Sequence, residues 1–208
     1  MVDPETDLVA IGGALRPDVL LAAYRRGIFP WPAEGMPMLW FSPAERAILE
    51  FDRLHVGRSL ARARRRSTLR FTVDAAFAAV IRACATVPRP GQHGTWITPE
   101  VVEAYVRLHR CGAAHSVEAW RGTQLVGGIY GVAVDGTFSA ESMFHREPDA
   151  SKLALLHLVE HLRARGLDWM DVQVLSPHLE RLGARTVPRA EFLARLARTR
   201  ARGLRLFD

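Results

Sequence analysis

Residues 114–144 carry three apolar runs in direct succession: AHSVEAWRG, TQLVGGIYGVAVDG and TFSAESMF. Arg121-Gly122 and Asp135-Gly136 separate them, and turns of that kind reverse a chain within two residues. Strands so closely spaced have no room for a crossover, so an antiparallel meander is predicted. A sheet of this sort needs a covering layer, and helical patterns stand before and after it. In DAAFAAVIRACA (74–85), Phe77, Val80, Ile81 and Cys84 fall at helical spacing. Thr98, followed by Pro99, opens a helix to about Arg110. Ser151 is placed as the cap of a helix over 152–165. Shorter helices are predicted over 18–26, 178–183 and 189–200, and a basic one within LHVGRSLARARRR. AILEF (47–51), LRFTVD (69–74) and WMDVQVL (169–175) read as further strands. The fold class is therefore α+β, with a mixed, mostly antiparallel sheet flanked by helices.

The strand WMDVQVL poses a problem. Asp171 and Gln173 are two apart, so strict alternation points both to one face. Polar groups buried in an apolar strand are costly unless paired.

The 208 residues are 49% hydrophobic, enough for a substantial core. No apolar run approaches the roughly 20 residues of a membrane span. The N-terminus is acidic and lacks the order of a signal peptide. Cys84 and Cys111 stand far apart with no CxxC, the pattern of reduced thiols in a cytoplasmic protein. The net charge of +6 is carried almost wholly by arginine, Lys152 being the lone lysine. Arg58, Arg62, Arg64, Arg65, Arg66 and Arg70 crowd one segment. Arg195, Arg198, Arg200, Arg202 and Arg205 form a second group. A biased codon usage explains much of the arginine content, and either group could be a solvated helix face. Their clustering nevertheless suits a nucleic-acid backbone.

His157-Leu-Val-Glu-His161 has the HxxEH spacing of some zinc proteases. Leu155, Leu158, Val159 and Leu162 form the apolar stripe of that helix, however. The histidines and Glu160 fall opposite, on an expected solvated face, and no metal is predicted. Gly127, Gly128 and Gly131 lie within a strand, where glycine permits close approach by another backbone, and not at a strand–helix junction that cradles phosphate. Glu141 stands among small and apolar neighbours, as an edge-strand carboxylate or a pocket carboxylate. No GxSxG or Cys–His pair indicates a covalent nucleophile.

Taken together, YRRGIFPWP (24–32), LWFSP (39–43), GTWITPEVVEAYVRLH (94–109), AHSVEAW (114–120), LVGGIYGVA (125–133), ESMF (141–144), ASKLALL (150–156) and DVQVL…LGA (171–184) resemble the bacterial leucyl/phenylalanyl-tRNA–protein transferases over nearly the whole chain. The resemblance implies transfer of Leu, Phe or Met from aminoacyl-tRNA to the N-terminal Arg or Lys of a protein, marking it for degradation. It implies a small N-terminal domain, placed at 1–60, before an acetyltransferase-like domain, placed at 61–208. It puts Asp171 and Gln173 at the catalytic positions. Gln173 would position the attacking amine or the ester carbonyl, and Asp171 would orient Gln173 and stabilise the ammonium that forms. Phe41 and Trp96 would frame the terminal adenosine, with Tyr105 and Tyr130 at matching positions. Ile129, Leu158 and Met170 would line the acyl pocket, and Glu141 would bind the donor's α-amino group. Arg58, Arg62, Arg64, Arg65 and Arg66 are the candidates for tRNA backbone contact. The acyl group arrives activated as an ester, so no cofactor is required. HREPDASK (145–152) lacks the glycine loop that holds coenzyme A in acetyltransferases. A coenzyme-A-dependent N-acyltransferase and a non-catalytic RNA-binding module are the competing readings. A monomer away from membranes is expected.

Overall fold

The computed structural model describes residues 7–33, 35–88 and 95–207. A three-stranded antiparallel sheet comes first: β1 (Leu8–Ile11), β2 (Phe29–Pro30) and β3 (Leu39–Phe41), in the order β1-β3-β2. Helix α1 (Pro17–Tyr24) joins β1 to β2. The next elements are β4 (Glu45–Glu50), α2 (Arg58–Arg66), β5 (Arg70–Val73), α3 (Phe77–Thr86) and α4 (Pro99–Arg110). The meander follows as β6 (Ala114–Arg121), β7 (Gln124–Val134) and β8 (Thr137–His145). Then come α5 (Ala150–Ala164), β9 (Trp169–Gln173), α6 (Pro177–Arg181), β10 (Arg185–Pro188) and α7 (Arg189–Ala201).

The larger sheet has the order β10-β4-β9-β8-β7-β6-β5. All its pairs are antiparallel except β8 with β9, so it is mixed and mostly antiparallel, as expected. The division placed near residue 60 does not coincide with a sheet boundary. β4, on its N-terminal side, is an inner strand of the larger sheet, between β10 and β9. β1 and β10 have no counterpart in the sequence reading, both being short and only partly buried.

Local chemistry explains the helix ends. Thr98 Oγ1 accepts from Val101 N–H with Pro99 in the first turn, as its sequence predicts. Ser176 caps α6 in the same way. Ser151 does not cap α5: the cap position is Asp149, in left-handed conformation, and Ser151 is buried inside the first turn.

The sheet separates two apolar layers. On one side α5 packs Leu155, Leu158, Val159 and Leu162 against Val117 and Ile129. On the other, α3 and α4 pack on Tyr130, Val132 and Phe144. Successive residues of β7 serve opposite layers. Gly127 admits α5, since a Cβ there would lie 2.7 Å from Ala150 Cβ. Gly128 faces the other way, where a Cβ would lie 3.1 Å from Val80 Cγ2. The glycine patch is thus a packing device.

The HxxEH face is only partly solvated: Glu160 is exposed, whereas His157 and His161 are half-buried. His157 stacks on Phe71, Glu160 pairs with Arg64, and His161 Nε2 donates to Leu206 O at 2.9 Å. Phe207 stacks on His161 as well. Among the described residues no helix is long and apolar enough to cross a membrane.

Candidate active site

β8 and β9 meet in parallel with Ser139 opposite Asp171. Each strand carries an irregularity just beyond. On β8, Gly131 pairs with Ala140 and Tyr130 with Ser142, which leaves Glu141 as the extra residue. On β9, Ile48 pairs with Asp171 and Ala47 with Gln173, which leaves Val172 over. Such bulges re-aim side chains and end pairing. Gln173 is also left-handed, with φ 62°, and β9 ends there.

This overturns the expected shared face. Asp171 and Gln173 sit opposite successive residues of β4, whose side chains alternate. Their partners differ accordingly. Asp171 is 2% exposed and meets Arg46, itself 1% exposed, in a two-pronged ion pair of 2.8 and 2.7 Å. Asp171 Oδ2 also accepts from Ser139 Oγ at 3.0 Å, and Oδ1 accepts from Gln173 N–H at 2.9 Å. Its oxygens are fully engaged. Arg46 completes its own set with the Gly27 carbonyl at 3.1 Å and lies 4.6 Å from the ring centroids of both Phe29 and Phe192. Asp171 therefore holds the backbone of Gln173, not its side chain.

The Gln173 side chain turns to Glu141. Its Nε2 donates to Glu141 Oε1 at 2.7 Å, which fixes the amide and leaves the Gln173 amide oxygen as an acceptor. Tyr24 OH donates to the same Glu141 oxygen at 2.7 Å. Tyr105 OH lies 2.5 Å from Tyr24 OH and 3.5 Å from Glu141 Oε2. Helix α1 of the N-terminal segment is thus tied to the site by one phenol.

Burial pushes the Glu141 carboxyl up to about 7, and the Asp171 charge acts the same way. The bonds from Tyr24 and Gln173 and the Arg46 charge oppose that rise. Burial, then the Glu141 charge, holds both phenols well above their ordinary value. The sign of the consequence follows from linkage. The ordinary value is 4.5, so between there and about 7 the folded chain binds a proton the unfolded chain has lost. Stability from this group is complete below pH 4.5 and lost as pH rises through 7. Glu141→Gln is expected to remove that decline. Relative to wild type it gains about 2–3 kcal/mol between pH 5 and 8. Denaturant melts of both proteins at the two pH values measure it, and parallel pH dependences would count against a raised Glu141 carboxyl.

Glu141 opens onto a cavity of about 810 Å³. Trp96, Ile129, Met143, Phe144 and Val172 form its apolar lining. The structure therefore brings Trp96, Ile129 and Glu141 together. It does not bring Leu158 and Met170 to that lining: they are 2% and 1% exposed, in the core beside α5 and β4. Tyr130 follows Ile129 on β7 and so faces the opposite layer, edge-on to Phe77 and Tyr105. Phe41 is buried with Phe29 and Trp31 in the N-terminal aromatic cluster, where Trp31 is the half-buried ring. Arg58, Arg62, Arg65 and Arg66 are exposed on α2 and make no ion pair with a described residue, whereas Arg64 pairs with Glu160. In the C-terminal group, Arg195, Arg200 and Arg202 are held by Glu50, Asp135 and Asp168.

Comparison with known proteins matches residues 48–197 to the family model described as leucyl/phenylalanyl-tRNA protein transferase, and residues 13–44 to the model of its N-terminal domain. The chain belongs to the leucyl/phenylalanyl-tRNA protein transferase family. A leucyl/phenylalanyl-tRNA–protein transferase of Anaeromyxobacter dehalogenans strain 2CP-C is 58% identical over 191 residues, covering 92% of this chain and 82% of the relative. The transferase of the same name from Myxococcus xanthus is 53% identical over 194 residues, 93% and 83% of the two chains. That of Shewanella denitrificans is 51% identical over 197 residues, 95% and 83%.

Sequence reasoning missed Arg46 and Tyr24. The signal for Arg46 was a charge heading the apolar run AILEF, which demands a buried partner. Nothing local marks Tyr24, because its partner is 117 residues away.

Proposed function

We propose that the protein transfers Leu, Phe or Met from aminoacyl-tRNA to the N-terminal Arg or Lys of acceptor proteins. The observation that carries this reading is the Gln173 amide, pinned by Glu141 beside an apolar cavity and backed by the buried Arg46–Asp171 pair. The reaction is aminolysis of an ester: the amine nitrogen bonds the acyl carbon, the ester C–O bond to the terminal ribose breaks, and the proton the amine loses is balanced by one taken up by the departing ribose oxygen. An α-amine has a pKa near 8, so roughly a tenth is neutral at pH 7 and a strong base is not needed. The Gln173 amide oxygen accepts an N–H of the amine and aligns it with the ester carbon. Glu141 holds Gln173 and places a carboxylate near the donor's α-amino group and the ammonium formed on attack. Asp171 acts as a positioning residue through the Gln173 backbone. The acyl side chain lies against Ile129 in the apolar lining, and the adenine stacks on Trp96. The exposed arginines of α2 face the tRNA backbone.

The deciding assay incubates the protein with leucyl-tRNA and a peptide beginning with Arg, and looks for the added Leu by mass. No addition with demonstrably charged tRNA overturns the reading. Acyl transfer from acetyl-coenzyme A instead would move the protein to another chemistry. Trp96→Ala is expected to raise KM for the donor about 5- to 150-fold, the range of one lost stacking contact, with kcat largely kept. Steady-state kinetics at fixed salt measure it, and an unchanged KM would remove Trp96 from the adenosine site.

A further inference from the structure

The wall of the 810 Å³ cavity beyond Glu141 has a different chemistry. His145, Lys152, His178 and Arg181 line it, drawn from the end of β8, the first turn of α5 and helix α6. Asp149 is the acid among them, and Lys152 Nζ already bonds it at 2.6 Å. Arg181 makes no ion pair with a described residue. His178 Nε2 is buried and has no hydrogen-bond partner among the described residues. Burial, followed by the charges of Lys152, Arg181 and His145, holds the His178 ring below its ordinary value. Arg181 and the Asp149-bonded Lys152 share a concavity with an unfilled ring nitrogen, and such a set calls for an anion with several acceptor oxygens. The start of α5 adds a favourable dipole.

We propose that this basic wall binds the phosphodiester that joins the terminal adenosine of the donor to the preceding nucleotide. The inference rests on reading the cavity as the aminoacyl-adenosine site. It gives the donor three anchors: the base on Trp96, the acyl group at Ile129, and the phosphate on Lys152, His178 and Arg181. Free carbonyl or sugar oxygens would not offset the charge, whereas one phosphodiester does.

The test compares two small donors, phenylalanyl-adenosine with no phosphate and cytidylyl-adenosine charged with phenylalanine. Wild type is expected to prefer the second in kcat/KM by about tenfold or more, the scale of one charge-assisted hydrogen bond. In Lys152→Met and Arg181→Met that ratio falls, and in the double variant it approaches one. A ratio is insensitive to a general loss of folded protein. With full aminoacyl-tRNA, the slope of log KM against log salt is expected to shrink by about 0.7 when the contact is lost. A wild-type ratio of one, or ratios unchanged in the variants, overturns the inference while leaving the transfer reaction intact. Inhibition by coenzyme A that the same substitutions abolish, with a donor ratio of one, assigns the wall to another phosphate and also overturns it. Failure of wild type to use either donor or charged tRNA would instead sink the underlying reading.

Discussion

Gln173→Ala is expected to lower kcat by roughly 10²- to 10³-fold, about 2.7–4 kcal/mol, with KM for the donor little changed. The size follows from what the side chain does. Its amide is fixed before substrate arrives, by Glu141 on Nε2 and by Asp171 on the backbone N–H. Alignment that is already built costs nothing at the moment of attack, and alanine removes all of it. Gln173→Glu is a sharper control because it keeps the shape. It replaces a donor 2.7 Å from Glu141 Oε1 with an acceptor. Two carboxylates so close must share a proton, so this variant is expected to lose activity as pH rises. Single-turnover rates with leucyl-tRNA measure both. A loss below about tenfold for Gln173→Ala, under 1.4 kcal/mol, would make the positioning role minor.

Much of this site is legible in the sequence, and the part that is not has a specific cause. The meander, the Thr98 cap and the apolar stripe of α5 rest on local rules of turn, cap and period, and all appear. Asp171 and Gln173 stood out because polar groups in a buried strand are costly. The error was to assume strict alternation between them. One extra residue, Val172, puts them opposite Ile48 and Ala47 and sends their side chains to different partners. A bulge is set by what the neighbouring strand offers, here Arg46 reaching across from β4, and no window of sequence around 171 contains that information. Phe41 illustrates a second limit. A run of aromatics between prolines shows that a ring will be presented, but which ring is exposed depends on packing. Here Phe41 goes under and Trp31 stays half-buried.

Arg46→Met should be the most destabilising change in this set. Asp171 would keep only Ser139 and the Gln173 N–H around a buried charge. Stranding one partner of a buried pair costs about 3–5 kcal/mol. For a chain of this size that corresponds to a fall in Tm of about 6–20 °C. Arg46 also bonds the Gly27 carbonyl and lies against Phe29 and Phe192, so the substitution loosens the N-terminal segment and α7 together. Arg46→Lys is expected to rescue little, because a point charge cannot reproduce the two-pronged contact with Asp171. Pairing Arg46→Met with Asp171→Leu separates structure from function. Replacing both charges removes the stranded carboxylate, so much of the lost stability returns. Activity does not return, because the Gln173 N–H has lost its acceptor and the left-handed residue its anchor. Thermal melts and turnover on the same samples measure the two effects. A double variant that is both stable and fully active would show that the ion pair serves the fold alone, and that Gln173 finds its place without Asp171.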